Sequence, residues 1–110
     1  MPSGDPEKDK KNPPQPELVA KIRETVLDLF MSAFSANEVY LNKDNYRHRR
    51  NLQDKSVSKC NELLALIELS APIFHIWPKR YKYWTEYIIL VRNQIQKWKE
   101  NDYKRFKKLK

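Results

Sequence analysis

The side chains best equipped for chemistry in this chain are its cations, and they fall into three groups. Arg47, Arg49 and Arg50 form the first, with His48 among them as an extra donor. Lys79, Arg80 and Lys82 form the second, and Arg92, Lys97, Lys99, Lys104, Arg105, Lys107, Lys108 and Lys110 the third. Guanidinium and ammonium groups repeated along a surface pair with phosphate oxygens, and that attraction adds up contact by contact without reading base identity. Tyr83, Tyr103 and Phe106 are interleaved with these cations, so stacking on unpaired nucleobases is a second chemistry open to the same surface. Each signal has a plainer alternative. Aromatic residues at helical spacing usually fill a core, and lysines near a helix C-terminus simply complement its negative end.

No other residue set supports a reaction. Cys60 is the single thiol, which excludes a disulfide within the chain, fits a reducing compartment and reads as a small core residue. His48 and His75 stand in unrelated contexts, and His75 reads as a buried or half-buried polar group at a corner. There is no CxxC, HxxxH or HExxH spacing for a metal. Gly4 is the only glycine, so no glycine-rich loop can cradle a phosphate. The carboxylates are scattered at helical spacing beside cations, as Asp54 is beside Lys55. The expectation is a binding protein with no catalytic residues, no metal and no cofactor.

Charge and composition say what must hold these cations. Of the formal net charge of +8, residues 42–51 carry +3 and residues 77–110 carry +8, while the stretches between and before them are neutral or acidic. Such asymmetry points to a polyanion, either nucleic acid or an anionic membrane surface. The chain has 110 residues, 40% hydrophobic and 33% charged, which allows one domain with an economical core. A body without glycine lacks the usual supplier of the positive-φ turns that hairpins need, so the expected class is all-α. No run approaches a membrane span, and the polar N-terminus is not a secretory signal, so cytoplasm is the expected compartment.

Residues 1–16 hold five of the seven prolines among alternating charges and read as a disordered tail, leaving 17–110 as the helical domain. Helix one is expected from about Pro16 to Tyr40, with Leu18, Ile22, Val26, Leu29, Phe30, Ala33 and Phe34 on its inward face. A polar connection over 42–50 leads to helix two, at about 51–71, with Cys60, Leu63, Leu64, Ile67 and Ala71 inward and an end or kink near Pro72. An apolar corner over 73–77 precedes helix three, which starts at Pro78 and runs to about Lys108. Its seam of Tyr81, Trp84, Ile88, Val91, Ile95 and Trp98 is heptad-like, and Tyr83, Tyr87, Ile89 and Leu90 make a second apolar side. The expected architecture is an antiparallel helical bundle of three long helices. If helices two and three run in opposite directions, the first and third cation groups share one end.

The segments LVAKIRETVLDLFMSAFSAN, LLALIELSAPIF and KRYKYWTEYIILVRNQIQKW together resemble the last three helices of the accessory variability determinant (Avd) proteins of diversity-generating retroelements, a four-helix-bundle family. The likeness covers about residues 17–100 and rests on the LVAKIR opening, on Ala36 and Asn37, and on Leu63, Leu64, Ile67 and Leu69. It continues through Lys79, Tyr81, Val91, Ile95 and Trp98. Three departures stand out. A proline-rich tail occupies the place of the family's first helix, Glu68 and Pro72 interrupt helix two, and Gln96 and Lys97 precede Trp98 where small residues are usual. A missing helix would expose a core face that self-association could cover. The resemblance implies a basic, pentameric accessory protein that binds a reverse transcriptase and its template RNA without catalysing cDNA synthesis.

Two other readings stay open on the sequence. One is a helical adaptor whose apolar faces bind a protein and whose charge is incidental. The other is a peripheral membrane protein that uses Trp and Lys at the lipid interface.

Overall fold

The computed structural model describes residues 16–109; of the expected tail over 1–16 all but Pro16, which is helical, lies outside them, as does Lys110. Three helices account for most of the described chain, and no strand occurs among the described residues. Helix α1 spans Pro16–Glu38, α2 spans Tyr46–Ile73 and α3 spans Pro78–Phe106.

The boundaries follow local chemistry. Pro16 opens α1 with a fixed φ, and Glu17 sits at the positive end of its dipole. After α1 the Asn42 side-chain oxygen accepts the Asn45 N–H at 2.8 Å and the Asn42 carbonyl accepts the Tyr46 N–H at 3.0 Å. This side-chain turn starts α2 at Tyr46, about five residues before the expected position, so the Arg47–Arg50 cluster is helical. Pro72 has no N–H to give the Glu68 carbonyl, and α2 stops one residue later. The Phe74 N–H then bonds the Ser70 carbonyl, and the Ile76 N–H reaches back to the Ala71 carbonyl, both at 2.9 Å. His75 between them has φ 53°, so it holds the left-handed closing position that glycine usually takes. It is exposed, which corrects its expected role as a buried or half-buried polar group at the corner. Trp77 is extended before Pro78, as the proline ring requires, and α3 begins there.

All three helices meet along seams with alternating steps of three and four residues, the spacing that suits nearly aligned packing. On α1 the buried positions are Thr25, Leu29, Ser32 and Ala36. On α2 they are Arg49, Gln53, Ser56, Cys60, Leu63, Ile67 and Ser70. On α3 Ile88, Ile95 and Asp102 are buried, with Tyr81, Val91 and Trp98 half-buried beside them. The apolar core is Leu29, Cys60, Leu63, Ile67, Ile88 and Ile95. Where α1 meets α2 the seam is small and polar: the Ser32 and Ser56 hydroxyls lie 2.8 Å apart, and each is also within reach of a carbonyl one turn back, so one hydroxyl donates across the seam while the other donates to its own helix. Phe30 and Phe34, expected in the core, are 64% and 62% exposed because they fall outside the α1 seam.

Contacts between the helices set their order. Lys21, Asp28 and Ser32 on α1 meet Glu62, Lys59 and Ser56 on α2, so the partner numbers fall as the α1 numbers rise. Arg49, Asp54 and Asn61 on α2 likewise meet Asp102, Lys99 and Arg92 on α3. Hydrogen bonds from Lys59 and then Lys21 hold the Glu62 carboxyl below its usual range. Helix α2 is the middle element. No Cα pair between α1 and α3 comes within 8 Å, so the two outer helices flank α2 with an open groove between them.

Candidate nucleic-acid interface

The first turns of α2 and the last turns of α3 lie at one end of the molecule, fastened by a buried polar cluster. Arg49 donates from Nε to Asp102 Oδ2 at 2.6 Å, from Nη2 to Asp102 Oδ1 at 3.0 Å and from Nη1 to the Val39 carbonyl at 2.9 Å. Gln53 Nε2 adds a third bond to the Asp102 carboxylate at 2.8 Å, while its own Oε1 has no donor among the described residues. The guanidinium also lies 5.1 Å from the Trp98 ring centroid, within cation–π range. One cluster thus joins the turn after α1, the start of α2 and the end of α3.

This geometry changes the role of Arg49. It is 8% exposed and its donors are committed inside the protein, so it is a structural cation rather than one of the expected phosphate ligands. The sequence places it among exposed-looking arginines because its partner is 53 residues away. A signal was nonetheless present. Arg49 and Gln53 continue backward the seam that runs through Ser56, Cys60 and Leu63, and Asp102 follows Ile88 and Ile95 at seven-residue steps.

The remaining cations divide by what they touch. Arg47 is exposed. Arg50 is half-buried, its Nη1 donating to Tyr46 Oη at 3.2 Å and to the Lys99 carbonyl at 3.4 Å. The Lys99 side chain is only 14% exposed and paired with Asp54, which withdraws it from the surface. Lys97, Lys104, Arg105, Lys107 and Lys108 are exposed. Arg92 is half-buried midway along the body, where it donates to Asn61 Oδ1 at 2.8 Å. Lys79, Arg80 and Lys82 are exposed at the opposite end, with Lys82 3.9 Å from Glu86. The structure therefore brings the first group and the third, apart from Arg92, together at one end and leaves the second apart.

Aromatic placement narrows the chemistry of that end. Phe106 stacks on Tyr46 with centroids 4.0 Å apart and planes 9° from parallel, so its near face is occupied. Tyr83 stands on the groove between α1 and α3, away from the cation-rich end. Of the three aromatics interleaved with cations, Tyr103 is the one presented there, with Lys107 Nζ 5.3 Å from its centroid.

Cys60 is fully buried, and desolvation pushes its thiol above the usual range against a weaker pull from Arg92. Among the described residues no group of three or more His, Cys, Asp or Glu side chains is placed to hold a metal ion. No helix among them is long and apolar enough to cross a membrane. No known protein family, curated protein or solved structure matches the chain.

Proposed function

We propose that this protein is a non-catalytic accessory protein that binds nucleic acid through phosphates at the end where α2 begins and α3 finishes. The observation that carries the reading is the fastening of those two helix ends by Arg49 and Asp102, which gathers Arg47, Arg50, Lys104, Arg105, Lys107 and Lys108 at one pole of an antiparallel helical bundle. Cations carried on neighbouring helix ends add their attraction along one phosphate backbone. With Phe106 engaged by Tyr46, the surface favours backbone contact over base stacking. On this reading, the resemblance of residues 17–100 to the Avd proteins suggests a reverse transcriptase and its template RNA as partners.

The test is a salt titration of binding to a structured RNA, for wild type and for two charge reversals: Arg47→Glu with Arg50→Glu, and Lys104→Glu with Lys107→Glu. Each reversal should lower affinity for all sequences alike. It should also flatten log affinity against log salt by about 0.7–0.9 per lost phosphate contact. Three equal slopes would remove phosphate from the reading.

A further inference from the structure

Between α1 and α3 the helices leave an apolar groove uncovered. Its larger part holds about 700 Å³, with Leu63 and Ile67 of α2 as floor and Ile22, Val26, Trp84 and Tyr87 on the walls. Further along the same helices a smaller part of about 190 Å³ lies between Phe30 and Ala33 on one side and Val91 and Trp98 on the other. The two parts follow residues 83–98 of α3, a length of about 22 Å at the rise of an α-helix, or roughly four turns. Exposed apolar surface on this scale, walled by aromatic side chains, has the makeup of a protein-binding site.

The rims choose among occupants. On α1 the exposed outer row steps from Arg23 through Leu27, Phe30 and Phe34 to Asn37. On α3 it steps from Arg80 through Tyr83, Tyr87, Leu90 and Gln94 to Lys97. Neither row contains a carboxylate, and Arg23, Arg80 and Lys97 make no ion pair among the described residues. Residues 1–15 are a poor filler, since Met1 is their only large apolar side chain. A second copy brings its own net charge of +8 and the same cationic rims to the contact. We propose that the groove docks an amphipathic helix of another protein, with an apolar stripe seated on the α2 floor and Asp or Glu along its flanks meeting Arg23, Arg80 and Lys97. Apolar burial would supply attachment, and the cationic rims would select the partner by charge.

The probes are two labelled synthetic helical peptides of about 18 residues with the same Leu/Ile stripe, one flanked by Glu and one by Lys, titrated against the full chain by fluorescence anisotropy. The Glu-flanked peptide should bind about tenfold or more tightly than its Lys-flanked twin near physiological salt. That preference should vanish in the Arg23→Glu, Arg80→Glu double variant. Phe30→Ser with Tyr87→Ser, both at exposed positions, should abolish peptide binding with helix content unchanged by circular dichroism. RNA binding measured on the same variant should be unaltered, which keeps this proposal separate from the phosphate-binding one. The idea is overturned if neither peptide binds or if both bind alike. It is also overturned if the wild type is an oligomer that the Phe30 and Tyr87 substitutions turn into a monomer, which would give the groove to a second copy. Sedimentation with phosphatidylserine vesicles that is lost in the same variant would assign it to a membrane instead.

Discussion

Arg49 and Asp102 form a two-pronged ion pair across 53 residues of sequence, both side chains less than a tenth exposed, and it closes the end of the bundle where the cations gather. Removing one member leaves a desolvated charge without a partner. Asp102→Ala should therefore lower unfolding free energy by about 3–5 kcal/mol, whereas replacing both residues with Met and Leu should cost much less than the two single changes together. Urea unfolding of the three variants decides it. A single substitution costing under about 1 kcal/mol would mean that the pair does not hold this end closed.

The phosphate reading separates Arg49 from its neighbours. Arg47→Ala should weaken RNA binding modestly and leave thermal stability unchanged, because the side chain is exposed. Arg49→Ala should instead destabilise the fold. Affinity and melting temperature measured on both variants distinguish the roles, and an Arg47 variant that melts early would contradict them.

Burial of Cys60 has a pH consequence. Its folded thiol holds the proton more tightly than an unfolded one, since desolvation raises its pKa from the ordinary value of 9.0. The stability it contributes is therefore complete below that ordinary value and is lost as pH rises through the higher folded one. At pH 8 a thiol reagent should label native protein far more slowly than urea-unfolded protein. Equal rates would place the sulfur at the surface.

His75 takes a left-handed backbone conformation, which costs an L-residue about 1–2 kcal/mol and a glycine almost nothing. Glycine loses more freedom on folding, so His75→Gly should give a net gain of up to about 1 kcal/mol. His75→Val should be destabilising. A thermal melt of the two variants tests the order, and a Val variant more stable than the Gly one would refute it.

Much of the helical framework was legible in the residues. Ile88, Val91, Ile95 and Trp98 repeat so regularly that the inner face of α3 could be read directly, and the prolines at 16, 72 and 78 mark ends that the structure respects. What escaped the reading was polar or long-range. Thr25, Ser32, Gln53 and Ser56 occupy seam positions that a search for apolar residues passes over, although their three- and four-residue steps match those of Leu29 and Cys60. Phe30 and Phe34 were expected inside because their side chains are apolar, but helical phase turns them outward. For the candidate interface, the meeting of the first and third cation groups follows from helix direction. The withdrawal of Arg49 and Lys99 depends on Asp102 and Asp54, which neither residue's local sequence identifies as partners.

The hydroxyl contact between Ser32 and Ser56 bears on the order in which the molecule comes apart. Three of the four buried side chains of α1 are Thr, Ser and Ala, so its seam with α2 buries little apolar area per turn. Helix α3 grips α2 through Ile88, Ile95, the Arg49 cluster and the Tyr46–Phe106 stack. With no Cα of α3 within 8 Å, α1 can peel away, releasing the Val39 carbonyl from Arg49 and exposing Leu29, while the Arg49–Asp102 pair and the Tyr46–Phe106 stack stay in place. Amide exchange should then fall into two tiers, with α1 losing protection at a lower free energy than the α2–α3 pair. The peeled state would bare the small polar seam of α2, so this protein would loosen from one side first rather than melt as a single block.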